Sequence, residues 1–325
     1  MRWCYLGVCS WCVISACLTP LAARQSKGGP AAQQNQARDA KLLAGSTSRV
    51  YKTVGKTDLS LHIFNPPGFQ VRDQRPAIVF FFGGGWTTGT PTQFAPHCHY
   101  LASRGMVAIA ADYRIRSRNQ STVEQSTADA KSALRWVRAH ARELGIDPQR
   151  IAAGGGSAGG HLAASTATVE LPDEPGEDKT VSSVPNALVL YNPPLVLPSL
   201  AQLKVLAAKR DPLPPFSGDP HAVSPVHHIR SGQPPALIMH GTADKTVPFE
   251  TAEKFRDAYV KAGNRCQLVA YQGEDHGFFN WNRDDKKHFV GTLTKADEFL
   301  KSLGWITGPP NVKEYFQSRL NRLKK

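Results

Sequence analysis

The sequence predicts a doubly wound α/β fold, in which helices cover both faces of a mostly parallel sheet. Apolar runs alternate with amphipathic helical stripes between about residues 49 and 303, the order expected of strands joined by helical crossovers. Hydrophobic residues make up 41% of the 325 residues, enough to bury a large core. Glycine and proline follow no collagen-like period and there is no internal repeat, which excludes fibrous and repeat proteins.

The candidate strands show two different patterns. Residues 59–64 alternate apolar and polar side chains, which predicts an edge strand with one solvated face. Continuous apolar runs instead predict central parallel strands covered on both faces, and they occupy residues 77–82, 107–111, 187–190 and 236–239.

Two helices are predicted from apolar stripes at helical spacing, over residues 130–144 and 252–262, each followed by glycine. Residues 193–235 interrupt this rhythm, since they hold ten of the 24 prolines and no long stripe. We therefore expect a small irregular cap insertion above the sheet.

The two ends of the chain carry most of the positive charge. Of the formal net charge of +13, residues 24–52 contribute +5 and residues 311–325 contribute +4. Charge divided in this way does not make the basic face that nucleic-acid binding requires, so no nucleic-acid partner is expected. We expect a flexible leader over residues 24–48, one domain over residues 49–305, and a solvated basic tail over residues 306–325.

The amino-terminal segment predicts export. Residues 3–23 carry no charge and are mostly apolar, with small residues near their end, so residues 1–23 are interpreted as a signal peptide of a periplasmic or extracellular protein. The stretch Ile14-Ser15-Ala16-Cys17 resembles a bacterial lipobox, and acylation of Cys17 would provide the one membrane contact that we expect. Ordinary cleavage near Ala22 or Ala23, without a lipid, is the competing outcome.

Four of the six cysteines lie in the first seventeen residues, which leaves Cys98 and Cys266 for the folded domain. Cys98 falls in a candidate helix and Cys266 at the start of a candidate strand. We expect two buried free thiols, with a single disulfide between them as the alternative.

The most specific motif is Gly155-Gly156-Ser157-Ala158-Gly159, which joins a strand-like segment to a helical one. A sharp turn of this kind lifts the Ser157 hydroxyl above the sheet, and the small neighbours avoid collisions. The Ala158 N–H, at the start of the helix, would then face a forming oxyanion. A phosphate-binding loop is the alternative, but the lysine of a nucleotide-binding loop and the acidic residue of a dinucleotide site are both missing.

A second glycine motif, Gly83-Gly84-Gly85-Trp86, follows the apolar run 77–82 directly. Consecutive glycines allow backbone N–H groups to turn into a site, so Gly84 and Gly85 are the candidates for the remaining oxyanion donors. We expect Trp86 to lie beside the acyl or leaving-group pocket.

The acid and base candidates follow later strands. Asp244 comes after the run 236–239, and His276 comes after a strand-like segment at 267–271. In this arrangement Asp244 accepts the Nδ1–H of His276, whose Nε2 is then free to take the proton of Ser157. Asp275 is the rival carboxylate, although side chains adjacent in sequence rarely face each other.

The eleven histidines do not form a metal-binding pattern, because none has the i, i+4 helical spacing with a carboxylate that zinc hydrolases show. No metal or other cofactor is expected. We expect His161, in the first turn of the helix after Ser157, to have a structural role.

Over about residues 49–303 these motifs resemble the α/β-hydrolase superfamily, and within it the hormone-sensitive-lipase-like esterases. The resemblance rests on the glycine loop, Asp112-Tyr113-Arg114, the serine elbow and Asp275-His276-Gly277-Phe278. It implies an α/β-hydrolase fold and a secreted serine esterase similar to the bacterial enzymes that remove acetyl or feruloyl groups from plant polysaccharides. Many such relatives begin the glycine loop with histidine, and Phe82 here removes that polar anchor.

The insertion lacks a long amphipathic lid helix, so we expect no enclosed tunnel for a long acyl chain. A methylene gains only about 0.8 kcal/mol on reaching dry surface, which favours short acyl groups at an open site. Trp86, with Phe278 or Phe279, is expected to form flat walls for a sugar or feruloyl ring. The alternatives are a prolyl-oligopeptidase-like serine peptidase, for which the chain has no room for a propeller, and a non-catalytic binding homologue.

Overall fold

A single eight-stranded sheet organises the computed structural model, which describes residues 38–170, 173–198, 216–283 and 286–323. The strands are β1 (Thr47–Val54), β2 (Thr57–Phe64), β3 (Arg75–Phe81), β4 (Val107–Ala111), β5 (Ile146–Gly156), β6 (Ala187–Tyr191), β7 (Ala236–Gly241) and β8 (Cys266–Tyr271). Their order across the sheet is β1-β2-β4-β3-β5-β6-β7-β8. β2 is antiparallel to both β1 and β4, and every pair from β4 to β8 is parallel.

Helices cover both faces of this sheet. They are α1 (Ala95–Ser103), α2 (Arg116–Asn119), α3 (Val123–Ala139), α4 (Ala158–Thr168), α5 (Phe249–Lys261), α6 (Lys287–Ser302) and α7 (Val312–Leu323). One core lies between the sheet and α3, α4 and α5, and a second lies between the sheet and α1, α6 and α7. All these elements belong to one compact unit, residues 39–325.

The continuous apolar runs are explained by these two cores. Along β3, Val79 and Phe81 belong to one core, while Ile78 and Phe80 belong to the other, and none of the four is more than 1% exposed. A strand buried on both faces has no position for a polar side chain. The prediction of central parallel strands is confirmed, with bounds that differ from the predicted runs by no more than two residues.

The prediction that residues 59–64 form an edge strand is wrong. This segment belongs to β2, and β1 pairs along its outer side, so β1 is the edge. The alternation of β2 arises because Leu59, Leu61 and Ile63 are buried while Ser60 and His62 are partly exposed. A strand with one solvated face has the same pattern whether or not another strand lies beside it.

The carboxyl-terminal segment was expected to be a solvated tail, and this expectation is wrong as well. α7 packs against α1 and α6 through Val312, which is 2% exposed, and Phe316, which is 7% exposed. The Phe316 ring lies 4.8 Å from that of Trp281 and 5.1 Å from that of Phe289, measured between centroids. Burial of apolar side chains four residues apart on one face of a helix stabilises its packing, even though the opposite face is charged.

The end of the expected flexible leader is also ordered. Residues 39–42 are helical, and Leu42 and Leu43 pack against the core that contains α1. His99 of α1 places Nε2 3.3 Å from the carbonyl oxygen of Leu42. The leader before residue 38 and the expected signal peptide, with Cys17, lie outside the described residues.

Within its described parts, the insertion at residues 193–235 contains two short 3₁₀ turns, Pro220–Val223 and Pro225–His228. Residues 199–215 lie outside the described part of the chain. No helix in the described ranges is long and apolar enough to span a bilayer. Cys98 is buried and Cys266 partly buried, and both are free thiols.

Candidate active site

Ser157 occupies the turn between β5 and α4 in a conformation that non-glycine residues rarely adopt, with φ 52° and ψ −123°. Such backbone strain costs about 1 to 3 kcal/mol and has to be held by the surrounding structure. Close packing provides this hold, because a Cβ added at Gly159 would lie 2.0 Å from the carbonyl oxygen of Phe81. The elbow therefore has no room for a larger residue at Gly159, and β3 and α4 fix the position of Ser157.

The structure brings Ser157, His276 and Asp244 together in the predicted order. Ser157 Oγ lies 2.8 Å from His276 Nε2, and His276 Nδ1 lies 2.6 Å from Asp244 Oδ2. Asp244 follows β7 and His276 follows β8, so parallel strands deliver all three side chains to one edge of the sheet. Asp275, the rival carboxylate, is 63% exposed at its side chain and pairs with Arg283.

Asp244 is held as a carboxylate by several hydrogen-bond donors. Its Oδ1 accepts the backbone N–H groups of Thr246 and Val247, both at 2.8 Å, and His240 Nε2 lies 3.3 Å from Oδ2. Burial alone would raise the pKa of Asp244, but hydrogen bonds from His240, His276 and the Val247 N–H outweigh burial and hold that pKa well below its usual range. The group therefore stays ionised and can stabilise a protonated His276.

The glycine loop passes directly over the elbow. A Cβ at Gly83 would lie 3.2 Å from the Cβ of Ser157, so the two loops are in contact. The Gly83 N–H already donates to Gln93 Oε1 at 2.6 Å. The N–H groups of Gly84 and Gly85 make no hydrogen bond within the described residues, and the Ala158 N–H is the first of α4 and has no acceptor within the helix. These are the three predicted oxyanion donors.

Two predicted substrate contacts are buried instead. Phe278 is 1% exposed and packs against Tyr271, Phe279 and His288, so it belongs to the core and offers no wall to a substrate. Phe279, its alternative, is also 1% exposed. Aromatic rings after a turn are buried whenever a neighbouring helix covers them, and α6 does so here.

Trp86 lies in the glycine loop as expected, but it is only 5% exposed. Its ring meets that of His161 edge-on, with centroids 5.1 Å apart, and lies 6.0 Å from that of Phe216 in the insertion. Its role is thus to pack the glycine loop against the insertion. His161 is buried, with Nε2 2.7 Å from the carbonyl oxygen of Val223, in line with its expected structural role.

Several residues near the site were missed by sequence reasoning. Asn192, directly after β6, places Nδ2 3.3 Å from His276 Nδ1 and has a positive φ of 35°. Its place after a central strand, at the edge that carries Ser157 and Asp244, is the one signal that could have drawn attention to it. Gln93, which accepts the Gly83 N–H, and Asn280, whose Oδ1 lies 2.9 Å from Gln93 Nε2, carry no such signal. Within the described ranges, no three histidine, cysteine or acidic side chains are grouped so as to hold a metal ion.

Comparison with known proteins gives consistent results. A family model described as the alpha/beta hydrolase fold matches residues 78–280. The probable carboxylic ester hydrolase LipM of Mycobacterium tuberculosis is 34% identical over 211 residues, covering 61% of this chain and 48% of that protein. The carboxylesterase NlhH of the same species is 29% identical over 247 residues, covering 70% of this chain and 73% of that protein. This chain spans about half the length of the first curated relatives it matches.

Among solved structures, esterase 2 of Thermogutta terrifontis in its apo form is 52% identical, with a TM-score of 0.77, covering 82% of this chain and 97% of that one. The same enzyme has been solved with propionate bound, at 51% identity and TM-score 0.77 over 82% of this chain and 98% of that one. It has also been solved phosphorylated by paraoxon, at 52% identity and TM-score 0.76 over 82% of this chain and 97% of that one.

Proposed function

Because this chain belongs to the α/β-hydrolase family, in its hormone-sensitive-lipase-like branch, we propose that it is a serine carboxylic-ester hydrolase that cleaves short-acyl esters through an acyl-enzyme. The observation that carries the proposal is the continuous hydrogen-bonded chain from Ser157 through His276 to Asp244, at the edge where the glycine loop meets the elbow. Esterase names among its relatives support the same reaction class.

The reaction proceeds in two halves. Ser157 Oγ attacks the ester carbonyl carbon while His276 Nε2 takes the hydroxyl proton, and the oxyanion that forms accepts N–H groups of Gly84, Gly85 and Ala158. The C–O bond to the alcohol then breaks, and the alcohol leaves with the proton from His276. Water attacks the acyl-enzyme in the same way, releasing the acid and returning the proton to Ser157.

The proposed substrate is an ester of a short acid, with acetyl esters of plant polysaccharides as the natural class. The propionate bound to the Thermogutta enzyme supports a short acid, and the short 3₁₀ turns of the insertion give its described parts no long lid helix. Burial of Phe278 and Trp86 removes the flat wall expected for a feruloyl ring. Acetyl esters are therefore favoured over feruloyl esters.

Three measurements test this proposal. Rates on p-nitrophenyl esters of two to twelve carbons should peak at short acids, and acetate should be released from acetylated xylan. A maximum at eight carbons or beyond, without acetate release, would favour a lipase-like enzyme. Paraoxon should phosphorylate Ser157, which peptide mass analysis detects, and Ser157→Ala should remain unlabelled. Activity that survives this substitution but is lost with a chelator would indicate a metal hydrolase.

The proposal includes export, supported by the uncharged apolar segment at residues 3–23. Intact mass of the protein from its native host should show loss of about 16 to 23 residues, with a lipid on Cys17 marking a lipoprotein. Recovery of the full-length chain from the cytoplasm would contradict export without affecting the proposed chemistry.

A further inference from the structure

Two side-chain amides connect the glycine loop to the loop that carries His276. Gln93 Oε1 accepts the Gly83 N–H at 2.6 Å, and Gln93 Nε2 donates to Asn280 Oδ1 at 2.9 Å. Asn280 Nδ2 in turn donates to the carbonyl oxygen of Gly277 at 2.8 Å. The chain of three hydrogen bonds joins segments 187 residues apart in sequence.

The bonding leaves only one orientation for each amide. A backbone N–H can only donate, so Gln93 must present its oxygen to Gly83 and its NH₂ group to Asn280. Asn280 must then present its oxygen to Gln93 and its NH₂ group to Gly277, whose carbonyl can only accept. Each amide is therefore used at both ends, and neither can turn over without breaking two bonds.

The backbone on either side of this bridge is packed into the core. Gln93 lies in the 3₁₀ turn Pro91–Phe94, which leads directly into α1. The neighbouring rings of Phe94 and Phe279 are each 1% exposed and stack with centroids 5.9 Å apart. Both amides thus project from backbone that is already fixed by the core, as a rigid strut requires.

We propose that the Gln93–Asn280 bridge is a positioning device that sets the separation between the oxyanion donors and His276. The proposal rests on the esterase function proposed above. Gly83 directly precedes the donors Gly84 and Gly85, and Gly277 directly follows His276, so each end of the bridge lies one residue from the reacting groups. An error of about 1 Å in such positions can cost about 100-fold in rate.

The bridge also supplies a polar anchor that the first residue of the loop lacks. Phe82 stacks on Tyr113 with ring centroids 4.1 Å apart, and its carbonyl oxygen accepts the Tyr113 hydroxyl at 2.7 Å. These contacts hold Phe82 itself and leave the Gly83 N–H to Gln93. The glycine loop is thereby held by the 3₁₀ turn before α1 and by the loop that carries His276, and not by the side chain of Phe82.

Two substitutions of Gln93 separate the ends of the bridge. Gln93→Met keeps the length of the side chain and removes all its hydrogen bonds, so kcat on p-nitrophenyl acetate should fall about 100-fold with KM within about twofold. Gln93→Glu still accepts the Gly83 N–H but cannot donate to Asn280, so we expect an intermediate loss of about tenfold. Paraoxon should still label Ser157 in both variants.

A double-mutant cycle tests whether the two amides act together. Asn280→Ala alone should lower kcat about as much as Gln93→Met, and the double variant should be no slower than either single variant. Losses in kcat that multiply would mean that the residues act independently, which would overturn the proposed bridge.

Gln233 is the matched control, because it is 8% exposed, accepts one backbone N–H and donates to two backbone carbonyls far from the site. Gln233→Met should lower Tm at least as much as Gln93→Met while leaving kcat unchanged. The positioning role is refuted if Gln93→Met keeps kcat within about twofold of wild type, or if Gln233→Met lowers kcat as much as Gln93→Met does. Failure of the esterase proposal would appear separately, as a wild-type protein with no activity and no paraoxon label.

Discussion

Two buried aspartates in this protein have opposite surroundings. Asp129 of α3 is fully buried, and Lys52 Nζ and Arg114 Nη2 each lie 2.7 Å from its Oδ1. Asp244, which is 6% exposed, is held by His276 and by backbone N–H groups, none of which is a permanent cation.

The difference in partners explains the difference in role. Two permanent cations neutralise Asp129, and Glu174 joins the same group through Lys52 and Arg114, so the cluster ties β1 and α3 to the segment after α4. Asp244 has hydrogen-bond donors but no lysine or arginine partner among the described residues, and it faces His276. A buried carboxylate with neutral donors can stabilise a proton that arrives during a reaction, whereas one already paired with cations serves to hold the structure.

The largest loss of activity is expected when Ser157 or His276 is replaced. Ser157→Ala or His276→Ala should lower kcat by on the order of 10⁴ or more, because the nucleophile or the base is lost. The free energy of unfolding should change little, since neither side chain is part of a cation cluster. Steady-state kinetics on p-nitrophenyl acetate and urea unfolding measure the two quantities on the same samples. If the 10⁴-fold loss of kcat came with a large loss of folding stability, the division between catalytic and structural residues would have no support.

The next largest effect is expected at Asp244. Asp244→Asn keeps the size of the side chain but removes the charge, so the His276 tautomer and its protonated form lose their support, and kcat should fall about 10³-fold. Asp275→Asn serves as the control and should leave kcat within about twofold. A similar loss in both variants would show that Asp275 shares the role.

Asp129→Asn should lower the stability of the fold rather than the activity. Removing one partner of a buried ionic cluster leaves cations unpaired, so the free energy of unfolding should fall by about 3 kcal/mol while kcat changes little. Asp257→Asn breaks an exposed pair with Arg256 and should change stability by less than about 1 kcal/mol. Equal effects at the two sites in urea unfolding would contradict the structural role of the cluster.

A smaller effect is expected from the strain at the elbow. Ser157→Gly should raise the free energy of unfolding relative to Ser157→Ala by about 1 kcal/mol, because glycine tolerates the positive φ that alanine does not. Thermal or urea unfolding of the two inactive variants gives this difference directly. An alanine variant as stable as the glycine variant would mean that the turn relaxes when Ser157 is replaced.

The smallest expected effect is a pH dependence of the stability that the cluster around Asp129 provides. Burial alone would raise the pKa of Glu174, but the hydrogen bonds and charges of Lys52 and Arg114 outweigh burial and lower that pKa from its ordinary value of 4.5. The unfolded chain then binds the proton more readily, so the contribution of Glu174 to stability is present above about pH 4.5 and is lost as the pH falls below it. The free energies of unfolding of wild type and Glu174→Gln should be measured between pH 7 and pH 3. The difference between them should become smaller as the pH falls. A constant difference would rule this linkage out.

Much of the site was predictable because it depends on local features. The elbow at Ser157, the glycine loop and the positions of Asp244 and His276 after apolar runs follow from short motifs and from the rule that parallel strands end at one edge. The α/β-hydrolase fold expected from these motifs is confirmed. The choice of Asp244 over Asp275 agrees with the distances, and the catalytic roles of these residues await the experiments above.

Other features escaped prediction because their evidence is spread along the chain. The terminal charges suggested a tail at residues 306–325, but the contacts of Phe316 with Trp281 and Phe289 decide that this segment packs as a helix. Phe278 looks like a substrate wall next to His276, and its burial depends on α6, which follows it.

By itself, the sequence determined which segments are the central buried strands, where the elbow turns and in which order the reacting side chains follow one another. Apolar runs and glycine turns act over a few residues, so their physical consequences can be read locally. The tertiary structure alone decided which polar groups meet across long separations, such as Gln93 with Asn280 and Lys52 with Asp129. A hydrogen bond requires two atoms within about 3 Å, and only the packed fold specifies such a distance between residues far apart in the chain.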